Sequence, residues 1–170
     1  MPDRRPPVEL SPPPAPLLRA LNPAMRLLLG LPLPGPLRGP LPGRRMVLRF
    51  TGRRTGRRYA VPVTAHPAGD GIASLTAAGW RLNFRGGHEV EVLHRGRVRP
   101  MRGELVEDPA TVGEVYVRRI EAMGVRRAQR ELGLRINVER VPTVEEMAEA
   151  SERQGLSVIM LRDVHDGPAR

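Results

Sequence analysis

Between residues 44 and 106 apolar and polar side chains alternate with the period of two that a half-buried strand requires. Arg44–Thr51 (RRMVLRFT), Arg57–His66 (RRYAVPVTAH) and Ile72–Thr76 each carry β-branched or aromatic residues on this pattern and predict strands. Glycine-bounded Gly52-Arg53-Arg54-Thr55-Gly56 predicts the turn between the first two, and Pro67-Ala68-Gly69-Asp70-Gly71 a second turn. Trp80–Arg85 predicts a short helical or irregular crossing that stops at Gly86-Gly87, and Glu89–His94 with Arg97–Val106 a hairpin across Arg95-Gly96. Along Arg57–Val63 the alternation sets Arg58, Ala60 and Pro62 on one face. Tyr59, Val61 and Val63 share the other, more apolar face with Arg57, and that face is expected to point inward. Pro62 cannot donate to a ladder, which marks an edge or a place where a ligand meets the backbone. Five short antiparallel strands joined by tight turns predict a small barrel.

The last third changes period. Asp108 predicts the cap of a helix from Pro109 to about Met123, Val125–Leu132 a second helix, and Thr143 with Glu146 a capping box for a third that runs to Gln154 and stops at Gly155. Leu156–Leu161 (LSVIML) is too apolar for a tail and predicts a returning strand. The fold class expected is therefore α+β: a small antiparallel barrel over 44–108, with flanking helices and a returning strand over 109–170 packing on it, as one domain. Ahead of the barrel, residues 1–42 hold 13 of the 19 prolines. Residues 1–16 are expected to be unordered, having too little apolar surface to offset the entropy of ordering. Residues 17–43 are expected to hold one short helix, capped by Asn22 with Pro23 at its first position and ended by Gly30, then a proline-rich lead-in. That helix would pack on the barrel through Met25, Leu28 and Leu29; flanked by Arg19 and Arg26, it is also a candidate for peripheral membrane contact.

Composition narrows the chemistry. The chain has no cysteine, which excludes disulfides, thiolate metal ligands and cysteine nucleophiles. It has no lysine, which excludes amine catalysis; all 28 basic residues are arginine. A GC-rich gene produces such a bias without functional demand, but its physical consequence is a set of planar, always-charged forks suited to phosphate and carboxylate. Charge is uneven: residues 1–103 carry 18 Arg against five acids, and residues 104–170 carry ten against 13. The partner surface is expected on the first part, facing a phosphorylated or polyanionic small molecule, nucleic acid or an anionic membrane. Neither a signal-peptide core nor a run of about 20 apolar residues is present, so a cytoplasmic location is expected.

The candidate site follows from the densest charge. Arg44 to Arg58 holds seven Arg and no acid. A glycine-flanked turn exposes backbone N–H groups as an anion nest, Arg forks add bidentate contacts, and Thr55 adds a hydroxyl. A solvated basic turn is the plain alternative. The four histidines (66, 88, 94 and 165) lack metal-ligand spacing, so no metal site is expected, and His66 and His94 are expected at the surface. Trp80 reads as a core residue or loop anchor. Neither a nucleophile elbow nor a Walker-type P-loop is present. With two Phe, two Tyr and one Trp, the chain lacks the stacking platform of single-strand nucleic-acid binders.

One further pattern bears on the site. Asn22-Pro23-Ala24-Met25-Arg26, the run from Leu48 through Thr51-Gly52-Arg53-Arg54-Thr55-Gly56-Arg57-Arg58-Tyr59 to Val63, Trp80-Arg81-Leu82-Asn83-Phe84-Arg85 followed by Gly86-Gly87, and the later Arg95-Gly96 hairpin occur in that order. Together they resemble the deazaflavin-dependent nitroreductase family over residues 22–108. The resemblance implies a split β-barrel of the FMN-binding, pyridoxamine-phosphate-oxidase-like kind. It implies coenzyme F-420, with FMN as the alternative, and hydride transfer to quinone, nitro or activated-alkene acceptors. Carried onto this sequence, it nominates Arg53, Arg54, Thr55, Gly56, Arg57, Arg58 and Val61-Pro62-Val63 for the cofactor's phosphate side and ring. It nominates Ala77, Ala78 and Gly79 for the ring and tail, with Trp80 and Asn83 holding that loop. The Thr76–Trp80 connection is shorter than in better-known members, and their substrate-side tyrosines have no match, so no catalytic residue is nominated. A non-catalytic flavin, deazaflavin or lipid carrier on the same fold is the rival reading, and a basic nucleic-acid module a third. Related split barrels are often homodimers.

Overall fold

The computed structural model describes residues 5–11 and 44–164. The expected helix at Asn22–Gly30, and the membrane contact attached to it, lie outside these residues. In chain order the elements are β1 (Val8–Leu10), β2 (Arg45–Thr51), β3 (Arg58–Thr64), β4 (His66–Ala68), β5 (Gly71–Thr76), a 3-10 turn (Gly79–Phe84), β6 (His88–His94), β7 (Arg97–Val106), α1 (Pro109–Met123), α2 (Val125–Leu132), β8 (Leu134–Ile136), α3 (Val144–Gln154) and β9 (Ser157–Asp163). Among the described residues, no helix is long and apolar enough to cross a membrane.

Seven strands hydrogen-bond in the order β3-β2-β6-β7-β9-β5-β4, and β1 pairs with β8 in a separate ribbon. The pairs β2–β3, β2–β6, β6–β7 and β4–β5 are antiparallel. The two ends of the seven-strand order, β3 and β4, are consecutive in the chain and separated by Ala65 alone. A sheet whose opposite edges share a one-residue corner must curl, so it forms a half-barrel. Ala65 is buried, and its N–H is tied to the Arg44 carbonyl at 2.6 Å, which pins the corner. The fold class expected from the sequence, α+β with a small antiparallel barrel, holds.

The inward face follows the predicted pleat except at Arg57, which was expected on that face but precedes β3 and is exposed. Met46, Leu48 and Phe50 of β2, Val90 and Val92 of β6, Met101 and Leu105 of β7, and Ile159 and Leu161 of β9 form one buried cluster, with Tyr59, Val61 and Val63 of β3 packed against it. Pro62 is exposed, on an edge strand, where its missing N–H costs no ladder bond.

The described residues form two compact units: a sheet unit (44–74, 79–105 and 159–164) and a helical unit (5–11, 75–78 and 106–158). Several expectations are corrected. Residues 1–16 are not unordered throughout, because Val8–Leu10 pairs with Leu134–Ile136 and Val8 is fully buried. The flanking prolines help, since they keep their acceptors: the Pro7 and Pro6 carbonyls take the backbone and side-chain N–H groups of Asn137 at 2.8 and 2.7 Å. The strand expected over Arg57–His66 breaks at Ala65, and Pro67 and Ala68 belong to β4 with His66 and not to a turn, which shrinks the turn to Gly69-Asp70. Pairing with Ala73 carries His66 inside, at 2% exposure, where a surface position was expected. The returning strand β9 does not pack on the barrel; it is inserted into the sheet between β7 and β5.

In the helical unit the local signals act as read. Asp108 accepts the Thr111 N–H at 2.9 Å, and Thr143 with Glu146 makes a complete capping box. Arg140 adds a two-pronged contact to Glu146 at 2.7 and 2.8 Å. The Arg140 guanidinium, helped by the Thr143 N–H, holds the Glu146 carboxyl down at about 2, from its ordinary 4.5. The folded state therefore binds the proton less tightly than the unfolded chain. The stability this carboxylate contributes is complete above about 4.5 and is lost as pH falls toward about 2. Glu146→Gln keeps a capping amide but no charge. The gap in urea midpoint between wild type and this variant is expected to narrow as pH falls through that window. A gap constant with pH would show that the ion pair contributes nothing.

Candidate functional site

The tip of the β2–β3 hairpin is held in one conformation by its own backbone. The Gly52 N–H donates to the Arg57 carbonyl at 2.7 Å, and the Gly56 N–H to the Gly52 carbonyl at 2.9 Å. Gly56 has φ +63°, a left-handed position that glycine occupies without a Cβ penalty. Gly52 is required for a different reason: a Cβ there would sit 2.6 Å from the Tyr59 ring and 3.0 Å from the Thr55 hydroxyl. The Thr55 hydroxyl accepts the Arg57 N–H at 3.3 Å and lies 3.5 Å from the Tyr59 hydroxyl.

Asn83, in the 3-10 turn, locks this tip from beside it. Its carbonyl oxygen accepts the Arg53 N–H at 3.0 Å, and its amide nitrogen donates to the Trp80 carbonyl at 2.8 Å. The Arg53 guanidinium completes the clasp by donating to the Arg85 carbonyl at 2.5 Å and to the Gly87 carbonyl. Beneath the tip lies an aromatic cluster. Phe50 stacks on Tyr59 at 5.3 Å and meets Phe84 edge-on at 4.9 Å, and Trp80 stands 6.1 Å from both Phe50 and Phe84. Four of the chain's five aromatic residues are thus spent supporting one hairpin. Trp80 packs its ring into this cluster and accepts the Asn83 side-chain amide at its backbone carbonyl.

The structure separates the seven arginines of 44–58 by role. Arg53 is committed to backbone carbonyls and acts as a clamp, not as a ligand fork. Arg49 stands opposite Glu91 in the β2–β6 register. Arg45 opens β2, at the far end of the hairpin from the tip. Arg54, Arg57 and Arg58 remain exposed at the tip and make no ion pair with any described residue. The anion nest is narrower than the sequence implied. The N–H groups of Gly52, Arg53, Gly56 and Arg57 are used internally, leaving those of Arg54 and Thr55 without a partner among the described residues. Three guanidiniums and two adjacent amides form an all-donor surface suited to a phosphate or carboxylate.

Of the other nominated residues, Val61 and Val63 turn their side chains into the core, so Pro62 alone presents a surface on that segment. Gly79 is exposed, with open space where a Cβ would stand. Ala77 and Ala78 fall in the helical unit, where the Ala78 N–H donates to the Thr76 hydroxyl at 3.1 Å. Sequence reasoning missed His88, whose Nε2 lies 2.8 Å from the Thr51 carbonyl and whose ring meets Phe50 and Phe84 edge-on. It also missed that Gly86-Gly87 offers a carbonyl to Arg53. The glycine pair itself was the available signal, because paired glycines mark close backbone approach.

No family model matches the chain, and no curated protein matches it. Among solved structures it is similar to one described as a domain-swapped dimer, at 15% identity and a TM-score of 0.45, over 87% of this chain and 100% of that one.

Proposed function

We propose that this chain is a deazaflavin-dependent oxidoreductase of the nitroreductase-like kind, with the β2–β3 tip as the anchor for coenzyme F-420. The observation that carries the reading is the separation at the tip. Arg53 holds the loop, while Arg54, Arg57 and Arg58 stand exposed and unneutralised beside two open amides. A phosphate followed by a string of carboxylates fits this donor set, which has no acid within it. When bound, the reduced deazaflavin supplies a hydride to a quinone, nitro or activated-alkene acceptor.

The chain's own work is to bind and orient. Arg54 and Arg58 would hold anionic groups, and the rigid tip means little ordering cost on binding. Gly56 lets a ligand approach the backbone. Single-strand nucleic acid is disfavoured because Phe50, Tyr59, Trp80 and Phe84 pack on one another instead of forming an open platform.

The test is a fluorescence titration with F-420 at physiological salt, with FMN in parallel. Saturable F-420 binding is expected, and Arg54→Ala or Arg58→Ala should weaken it by about 1–3 kcal/mol, the range for a charge-assisted hydrogen bond. If neither cofactor binds, the reading falls. If both variants bind as the wild type does, these two arginines leave it. Binding without turnover of quinones or nitroaromatics would favour a carrier.

A further inference from the structure

The helical unit carries a second concentration of positive charge, which the hairpin reading does not use. A solvent-open cleft of about 590 Å³ is lined by Ser11, Arg126, Gln129, Arg130, Leu134 and Arg135. Three of the six are arginine and none is acidic. Arg126 and Arg130 stand one turn apart on α2, and a like-charged pair at that spacing works against the helix. Arg126 also sits in the first turn, with no acid there, where the positive end of the helix dipole opposes a cation. The helix has an acid, Glu131, but it is paired with Arg127 at 2.5 Å. Arg135 comes from β8 and faces Glu9 across the ladder without forming an ion pair with it. Three exposed guanidiniums therefore line one cleft with no ion-pair partner among the described residues; the dipole favours Arg130 in the last turn but opposes Arg126, and an anion would offset the repulsion between the two.

The frame around them is fixed. Gly133, with φ +64°, ends α2, and its carbonyl accepts the Ser11 N–H at 2.7 Å. The Gln129 side-chain Oε1 accepts the Ile136 N–H at 2.9 Å, which leaves the Nε2 N–H groups of the same side chain as further donors. The wall is thus made of Arg forks from two elements together with the Ser11 hydroxyl and the Gln129 amide, a donor set that matches the oxygens of a phosphate.

We propose that this cleft is a phosphate-binding site, taking either free phosphate or the phosphate of a lipid headgroup. The proposal is independent of the F-420 reading, since every residue in it belongs to the helical unit. The test is amide chemical-shift mapping on the full 15N-labelled chain. One arm uses inorganic phosphate at constant ionic strength; the other uses phosphatidylcholine vesicles with and without phosphatidic acid. Saturable shifts at Arg126, Gln129, Arg130 and Arg135 are expected in one arm, and which arm responds identifies the source. Arg126→Gln/Arg130→Gln/Arg135→Gln should weaken binding by about tenfold or more. Arg118→Gln, which breaks the separate Arg118–Glu114 pair, should leave it unchanged. Because the three arginines are exposed, the triple variant should keep its fold, and Arg130→Gln alone serves if it does not. No saturable shift in either arm, shifts confined to residues 52–58, or equal affinity in the variants would overturn the proposal.

Discussion

Phe84→Ala is expected to cost the sheet unit about 3–5 kcal/mol, the range for deleting a fully buried aromatic ring. Phe84 has no exposure and sits at the centre of the aromatic cluster, edge-on to Phe50 at 4.9 Å, to Trp80 at 6.1 Å and to His88 at 5.9 Å. Its ring fills the space above Gly103, where a Cβ would come within 2.5 Å of it. Against a typical total of about 5–15 kcal/mol, such a loss is a large share of the stability. Urea unfolding followed by Trp80 fluorescence measures it. The functional consequence travels through Asn83 and Arg53, which tie the tip to the turn that Phe84 ends. On the proposed reading, F-420 affinity should therefore fall although Phe84 is buried beneath the tip. Gly103→Ala provides an internal check. Alone it should destabilise, but in the Phe84→Ala background its added methyl enters the vacated space, so the two effects should not add. A loss below about 1.5 kcal/mol, with additive behaviour, would mean that the cluster collapses around the gap and does not hold the hairpin.

The second large effect lies in the helical unit. Gly113→Ala is expected to destabilise it, although alanine is the better helix former by about 1 kcal/mol. Gly113 is buried in α1 where α3 crosses it, and an added Cβ would meet the Val144 carbonyl at 2.7 Å and the Ala148 N–H nitrogen at 3.2 Å. Both are backbone atoms, so no side chain can swing aside and the helices must separate. Overpacking of this kind costs about 1–3 kcal/mol, enough to outweigh the propensity gain. Hydrogen exchange of the α1 and α3 amides should accelerate, while the F-420 binding proposed for the tip should stay at its wild-type value. A rise in stability would show that the two helices slide apart at little cost and that propensity decides the sign.

The two substitutions mark where local signals end. Most elements set by residues adjacent in the chain were legible in the sequence; the β4–β5 hairpin, where Pro67 and Ala68 were expected in the turn, is the exception. Arg97–Gly103 pairs with His88–His94 across the predicted Arg95-Gly96 turn, Asp108 caps α1, the Thr143–Glu146 box starts α3, and Gly155 in the left-handed region stops it. The pleat of β3 also followed from alternation, with Tyr59, Val61 and Val63 inward and Pro62 outward. These features depend on periods of two or 3.6 and on side chains reaching backbone groups within three or four residues. A single chain carries that information in order.

What the sequence left open depends on partners distant in the chain. Val8–Leu10 is too short to announce itself as a strand among prolines. It becomes one because Leu134–Ile136 supplies its ladder from more than a hundred residues away. Burial of His66, the corner at Ala65 and the insertion of β9 between β7 and β5 follow from sheet order, which no local pattern encodes. The same holds for the site. The sequence determined that arginines and glycines crowd one hairpin tip, which is a statement of composition and turn chemistry. Only the tertiary structure divided them, because a guanidinium's role is set by what faces it. Arg53 meets the carbonyls of Arg85 and Gly87 and becomes a clamp, whereas Arg54, Arg57 and Arg58 face solvent and stay open to an anion.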